Sequence, residues 1–100
     1  MSDHLQSESV RVDIALPSLL QSHADGQSCI PVMASTLQGC FDALFAKHPL
    51  LQRHLFTESG QQRPHVLFFH NEDNTRWLDS LNIPVREGDT LTILQAVSGG

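Results

Sequence analysis

The sequence predicts a small α+β domain in which one sheet packs on one main helix. Three observations indicate this fold class: alternating apolar residues near the N-terminus, a helical repeat of apolar residues in the middle of the chain, and apolar runs between turn residues in its last third. The expected element order is strand, strand, helix, strand, irregular segment, strand. A chain of 100 residues, 40% hydrophobic and 17% charged, is expected to form a single domain, residues 1–100.

The first strand is predicted by apolar residues at every second position from Val10 to Leu16, which places four apolar side chains on one face. Pro17 ends it. Residues 1–9 before it are polar and are expected to be a loose lead-in. Residues 18–27 after it are rich in turn residues, and Asp25-Gly26 is their strongest turn signal.

A second strand is predicted over residues 28–33, where apolar side chains return after the turn. Pro31 lies inside this run and has no N–H to donate to a neighbouring strand. The second strand is therefore expected at an edge of the sheet.

The main helix follows directly. Ser35 and Gln38 have the spacing of a capping box, which predicts Ser35 as the N-cap. His48-Pro49 is expected to end the helix, because proline disfavours a helical conformation in the residue before it. Gly39 inside the helix costs about 1 kcal/mol relative to alanine but permits close packing. The apolar face is predicted to consist of Leu37, Cys40, Phe41, Leu44 and Phe45.

The remainder of the chain is predicted as short elements. Residues 50–56 suggest one more helical turn, and the continuous apolar run 66–69 predicts a well-buried strand. Residues 71–74 form a turn, and residues 77–85 are irregularly apolar, as expected of a short strand or one-turn helix that covers the core. A turn at residues 86–89 then leads into the last strand.

Charge and hydropathy exclude several classes of function. Six basic against eleven acidic residues give a net charge of −5, so the chain offers no basic cluster for nucleic acid or an anionic membrane surface. No stretch approaches the roughly 20 apolar residues of a membrane span, and the N-terminus lacks the basic and apolar regions of a secretory signal. We expect a cytoplasmic protein with no nucleic-acid or membrane partner.

Other reactive side chains show no catalytic or metal-binding pattern. Cys29 and Cys40 have no CxxC spacing and are expected to be reduced, buried and inert. Ser98 lacks the G-x-S-x-G frame of a nucleophile elbow. The histidines lack the spacing of a zinc motif, so no metal site is expected. They are His4, His23, His48, His54, His65 and His70.

The chain ends in Gly99-Gly100, directly after the last predicted strand. Two glycines form a thin strip that can enter a tunnel too narrow for side chains. The Gly100 carboxylate could there be activated as an acyl-adenylate and attacked by a sulfur nucleophile. The alternative is a frayed terminus, and residues 96–100 are in either case expected to be a flexible tail.

Residues 85–100, V-R-E-G-D-T-L-T-I-L-Q-A-V-S-G-G, resemble the C-terminal signature of the ubiquitin-like sulfur carrier proteins of the ThiS/MoaD family. The signature is a Gly-Asp turn, an apolar strand and a Val-Ser-Gly-Gly or similar tail. The predicted element order over residues 10–100 is also similar to that family. The resemblance implies a β-grasp fold with a mixed sheet of four to five strands on one main helix. Residues 69–73 most resemble the CysO-like carriers within the family.

The resemblance implies a protein cosubstrate rather than an enzyme. A ThiF/MoeB-like adenylating enzyme would use ATP to activate Gly100, and the resulting thiocarboxylate would deliver sulfur to an acceptor biosynthetic enzyme. The carrier itself would bind no cofactor and would be a monomer when free. Gly99 would provide clearance, and three tail residues would contact the partner: Ala96, Val97 and Ser98. Glu87 and Asp89 would either meet basic residues of the partner or form a solvated turn.

Several functions remain open at this level. The chain could carry sulfur for cysteine, another thio-compound or a siderophore, or it could be the small subunit of molybdopterin synthase. A third possibility is a ubiquitin-like modifier joined to lysines through Gly100, and a fourth is a β-grasp interaction module without such chemistry. Modifier tails usually carry basic residues before the glycines, and residues 94–98 have none, which favours the carriers.

Overall fold

Two antiparallel strands open the chain in this computed structural model, which describes residues 9–78 and 80–95. Strand β1 (Val10–Ala15) and strand β2 (Cys29–Ala34) pair in the register Val10 to Ala34 through Ala15 to Cys29. Alternate β1 side chains are buried, as the sequence pattern predicts. Strand β2 lies at one edge of the sheet, which confirms the position inferred from its proline.

The connection between these strands is more regular than the sequence predicts. A 3-10 helix (Ser18–Ala24) occupies most of the segment expected to consist of turns, because Leu20 and Ala24 find buried positions against the core. The predicted turn follows it. Asp25 and Gly26 both have positive φ, at 56° and 78°, which is a backbone conformation that favours glycine.

Helix α1 (Leu37–Lys47) is the predicted main helix, but its N-cap is Thr36 rather than Ser35. The Thr36 hydroxyl oxygen accepts a hydrogen bond from the Gly39 N–H at 3.0 Å. Ser35 is still in the preceding connection, where its carbonyl accepts from the Val85 N–H. The helix buries four of the five predicted side chains completely, and Phe45 is partly buried.

Gly39 brings α1 close to the end of β2. A Cβ at this position would lie 3.2 Å from the Ala34 Cβ and 3.3 Å from the Thr36 hydroxyl oxygen. Those distances are tighter than ordinary van der Waals contact, so the absence of a side chain permits the observed packing.

The rest of the fold follows the predicted order with small differences. Helix α2 (Leu50–Leu55) and strand β3 (Val66–His70) confirm the expected elements. The expected turn at 71–74 contains strand β4 (Asp73–Asn74), since Asp73 and Asn74 pair with the end of β3. A short 3-10 helix (Thr75–Trp77) comes next, and strand β5 (Thr90–Gln95) is last.

The irregular segment before β5 completes the start of α1. The N–H groups of Leu37 and Gln38 donate to the carbonyl oxygens of Ile83 and Leu81, at 3.0 and 2.9 Å. The first N–H groups of a helix have no partner inside the helix. Residues 81–83 therefore supply acceptors that the helix itself lacks, and the side chains of Leu81 and Ile83 pack on the core.

The five strands form one mixed sheet in the order β2-β1-β5-β3-β4. The central pair β1 and β5 is parallel, and the other pairs are antiparallel. One face of the sheet packs on α1, and α2 packs beside α1 and adds Leu51 and Leu55 to the same core. A cluster of phenylalanines lies in this region with ring centroids 4.6–6.0 Å apart. This is the predicted α+β arrangement. No helix in the described part of the chain has the length and apolarity to span a bilayer.

Candidate functional site

Strand β5 precedes the C-terminal tail; two strands flank its first half, and β3 continues beside it to its last residue. It pairs with β1 in parallel and with β3 antiparallel, and its last residue, Gln95, lies opposite Val66. Gly100 is five residues beyond Gln95 (100 − 95), and an extended chain spans at most about 3.3–3.6 Å per residue. The tail therefore starts from a fixed point and reaches at most about 18 Å from it. Five predicted site residues lie outside the described residues: Ala96, Val97, Ser98, Gly99 and Gly100.

The outer face of the sheet beside this point is apolar. Leu94 is 43% exposed, and it lies opposite Leu67 in the β3–β5 register. Leu67 and Phe69 are half-buried on the same face. We call these three residues the outer apolar patch. Exposed apolar side chains grouped at one place favour protein docking.

The sequence pattern does not reveal this patch. The run 66–69 predicts a well-buried strand, but only Val66 and Phe68 are fully buried, since successive side chains of a strand point to opposite faces. Two signals were available. The apolar run contained two residues that had to face outward, and Leu94 stands at a position of β5 where the alternation requires a polar residue.

The turn before β5 holds the two predicted acidic residues, and both are used within the fold. The Glu87 carboxylate accepts a hydrogen bond from the Arg11 N–H at 3.0 Å, and the Gly88 N–H donates to the Arg11 carbonyl at 3.2 Å. Gly88 has φ of 89°, a conformation that favours glycine. The turn is thereby joined to the start of β1.

Asp89 is the centre of a hydrogen-bond network at the other side of the turn. Its carboxylate oxygens accept from His70 Nε2 at 2.7 Å, the Arg86 N–H at 2.9 Å and Asn71 Nδ2 at 3.2 Å. The side chain is 15% exposed. Asn71 has φ of 57° and makes two hydrogen bonds with the Thr90 backbone. Its N–H donates to the Thr90 carbonyl, and its Oδ1 accepts from the Thr90 N–H.

The pKa of Asp89 reflects this environment. Burial alone would raise it, but the hydrogen bonds from His70, the Arg86 N–H and Asn71 outweigh burial and lower the pKa below its ordinary value of 3.8. In its ionised form, Asp89 therefore holds the start of β5 in place. Whether Glu87 and Asp89 also meet a partner stays a prediction.

The two cysteines differ, and the expectation that both are buried is wrong for one of them. Cys40 is completely buried on α1, and burial, with a smaller contribution from the Asp89 charge, raises the pKa of its thiol to about 11. Cys29 is exposed. It begins strand β2 at a position whose side chain points away from the core, as the alternating burial of that strand requires.

The histidines take different structural roles. His70 belongs to the Asp89 network, and His23 stacks on His54 with ring centroids 4.1 Å apart. Within residues 9–78 and 80–95, no group of three or more His, Cys, Asp or Glu side chains is arranged to hold a metal ion.

Comparisons with known proteins agree on one family. The ThiS family model matches residues 21–100. The sulfur carrier protein CysO of Mycobacterium tuberculosis (strain ATCC 25618 / H37Rv) is 28% identical over 93 residues, which is 91% of this chain and 100% of the relative.

Solved structures support the same fold. A chain of the Amycolatopsis orientalis BexX/CysO complex superposes with a TM-score of 0.78 at 28% identity, over 89% of this chain and 99% of that one. Small archaeal modifier protein 1 of Haloferax volcanii has a TM-score of 0.75 at 26% identity, over 90% of this chain and 99% of that one. These likenesses confirm the β-grasp fold and the family resemblance expected from the sequence.

Proposed function

Because this chain belongs to the ThiS family, whose model spans residues 21–100, we propose that it is a sulfur carrier for the biosynthesis of a small metabolite such as cysteine, another thio-compound or a siderophore. It acts as a protein cosubstrate and catalyses no reaction itself. Its similarity to the sulfur carrier CysO over 91% of its length supports this role.

The observation that carries the proposal is the way β5 presents the tail. The strand is paired with β1 over residues 90–92 and with β3 over residues 91–95, and its base is fixed by the Asp89 network. Gly100 stands five residues after Gln95 (100 − 95), and no charged side chain lies between them. A rigid body with a narrow end is what an enzyme needs to draw one carboxylate into a closed active site.

The chemistry proceeds in two activation steps on a ThiF/MoeB-like partner. The Gly100 carboxylate attacks the α-phosphorus of ATP, an O–P bond forms and pyrophosphate leaves. A sulfur nucleophile then attacks the carbonyl carbon of the adenylate, a C–S bond forms and AMP leaves. The product is a thiocarboxylate on Gly100, whose sulfur an acceptor enzyme uses. ATP is consumed by the partner, and the carrier binds no cofactor of its own.

The outer apolar patch gives the partner a surface beside the tail. Leu94 is one residue from the end of the described strand, so an enzyme that covers the patch also receives the tail. On the inner face of β5, Leu91 and Ile93 are fully buried in the core and are not available for docking. Partner contact is therefore proposed for the outer face.

A protein modifier is the second candidate, because the chain is similar to the small archaeal modifier protein 1 of Haloferax volcanii. In that function the Gly100 carbonyl would form an isopeptide bond with a lysine of a target. The absence of basic residues in 94–98 favours the carrier. The small subunit of molybdopterin synthase shares the thiocarboxylate and differs only in its acceptor.

The test uses the purified chain, a ThiF/MoeB-like activating enzyme, ATP and a sulfide source. Intact mass spectrometry is expected to detect exchange of one oxygen for sulfur, dependent on ATP and located in the C-terminal peptide. An unchanged mass with an activating enzyme that is active on another carrier would contradict the proposal. Isopeptide conjugates in the presence of lysine-containing targets would instead favour the modifier.

A further inference from the structure

A cleft of about 520 Å³ lies between α2 and the loop that leads to β3. Its lining includes three side chains that can carry positive charge, Arg53, His54 and Arg63, together with Thr57 and Glu58. Two of the chain's six Lys and Arg residues are thus concentrated in one concavity of a protein whose net charge is −5. This local basic character has no part in the proposed sulfur chemistry.

The Arg63 side chain is held in place, and neither arginine is neutralised by a carboxylate among the described residues. Arg63 Nε donates to the Arg53 carbonyl at 2.9 Å, which fixes the Arg63 side chain against α2 and leaves its terminal nitrogens for another acceptor. Arg53 is exposed. Among the described residues neither guanidinium pairs with a carboxylate, and Glu58 forms no ion pair although it lines the same cleft.

His54 extends the basic lining toward the 3-10 helix at Ser18–Ala24. Its ring stacks on His23 with an interplanar angle of 24°. Burial lowers the pKa of His54, and the charges of His23, Arg63 and Arg53 lower it further. An anion in the cleft would oppose those charges and favour the protonated ring.

We propose that this cleft binds the phosphate group of a small molecule. Guanidinium groups are planar donors that match phosphate oxygens, and two of them line one cavity here. The volume lies within the roughly 300–1,000 Å³ of small-molecule sites. A concave site of this kind favours a compact anion over the extended acidic segment of a protein.

The phosphate could come from an inorganic ion or from a phosphate ester such as a nucleotide. Inorganic phosphate, pyrophosphate and AMP distinguish these sources as probes. This inference is independent of the sulfur carrier role, because it concerns α2 and the following loop and not the tail.

The experiment is an NMR titration of the full chain with each probe, at constant ionic strength maintained with sodium chloride. Binding is expected to perturb the amides of residues 52–63 and to raise the pKa of the His54 ring. Stronger binding of AMP than of the inorganic ions would assign a phosphate ester, and equal or weaker binding would assign an inorganic anion; both results support the site.

Matched variants separate the cleft from general charge effects. Arg53→Gln with Arg63→Gln is expected to weaken binding about tenfold or more, because each charge-assisted contact is lost. Arg86→Gln removes an exposed arginine elsewhere and should bind as the wild type does. Arg53→Gln alone keeps the backbone acceptor of Arg63, so it tests the site even if the double variant unfolds.

Three results would overturn the proposal. The first is the absence of any perturbation beyond that caused by sodium chloride. The second is equal binding by the wild type and by folded variants that lack Arg53 or both arginines. The third is binding of a poly-glutamate peptide at the cleft while the three phosphate probes leave it unchanged, which would assign the surface to an acidic protein segment.

Discussion

His70 Nε2 lies 2.7 Å from Asp89 Oδ2, and this contact joins the end of β3 to the turn before β5. The two residues are 19 positions apart in the sequence. Since the same carboxylate also accepts from the Arg86 N–H and from Asn71, one side chain closes the turn before β5 and ties that turn to the end of β3. The tail is carried on that strand, so the network connects the stability of the fold with the presentation of the proposed reactive end.

Asp89→Ala is expected to lower the free energy of unfolding by about 1–3 kcal/mol at neutral pH, because three donors lose their acceptor. The pKa of Asp89 is lowered in the folded protein. Its contribution is therefore complete above the ordinary value of 3.8 and is lost as the pH falls through the lowered pKa. Urea unfolding at several pH values measures the effect.

The matched control for Asp89 is Asp42→Ala, which removes an exposed carboxylate whose hydrogen bond is to Gln38 on the same helix. It should cost little at any pH. A difference between wild type and Asp89→Ala that stays constant from neutral pH to well below 3.8 would contradict the assigned role of the carboxylate.

The sequence determined most of the fold through periodicity. Val10 to Leu16 and the apolar face of α1 follow patterns that are specific to a strand and to a helix, and both elements are where they were expected. The incorrect predictions concern residues whose environment depends on contacts with residues distant in the sequence. Ser35 is not the cap because its carbonyl accepts from Val85, and Cys29 is exposed because the pairing of β2 with β1 turns its side chain to the face of the sheet away from the core.

The candidate site was predictable in part. Gly99 and Gly100 are visible in the sequence because their chemistry depends on residue type and order alone. The Asp89 network and the outer apolar patch are not, since they depend on the pairing of β5 with β3 and β1. No local pattern in the sequence records which residues of two strands lie side by side.

Leu94→Glu is expected to impair activation while leaving the fold intact. The substitution places a charge in the centre of the outer apolar patch, and loss of one well-packed interface contact raises KM for the carrier about tenfold. This KM is measured from the initial rates of pyrophosphate release by the activating enzyme at several carrier concentrations. Leu19→Glu is the control, since Leu19 is 64% exposed on a different element. Equal effects of both variants would exclude a specific docking face.

Gly100→Ala is expected to reduce adenylation about 100-fold, because a side chain at the last position displaces the carboxylate by about 1 Å in a narrow site. Its melting temperature should equal that of the wild type. Leu44→Ala should behave in the opposite way. Leu44 is fully buried, so this substitution leaves a cavity in the core and lowers the free energy of unfolding by about 2–5 kcal/mol. The molecules that remain folded should still be activated. Reversed phenotypes would contradict this division between tail and core.

Two residues at the outer edge of β2 are expected to keep the chain monomeric. Pro31 offers no N–H there, and Lys47 Nζ donates to the Pro31 carbonyl at 2.9 Å. Both features oppose pairing with a strand of a second copy. Pro31→Val with Lys47→Ala should therefore self-associate in a sedimentation-velocity concentration series, whereas Arg86→Ala, which also removes one positive charge, should not. A variant that stays monomeric at all concentrations would show that these residues do not protect the edge.

In the proposed function, sulfur is carried on the terminal carboxylate and not on a thiol. Cys29 is exposed and could hold a persulfide, whereas burial raises the pKa of Cys40 to about 11 and opposes its thiolate. The decisive measurement is top-down mass spectrometry of a folded Cys29→Ser, Cys40→Ala variant after incubation with the activating enzyme, ATP and sulfide. We expect one sulfur in place of oxygen, located at Gly100, in a yield equal to that of the wild type. Loss of transferable sulfur in this variant while it stays folded with an intact tail would contradict the thiocarboxylate and assign the sulfur to a cysteine.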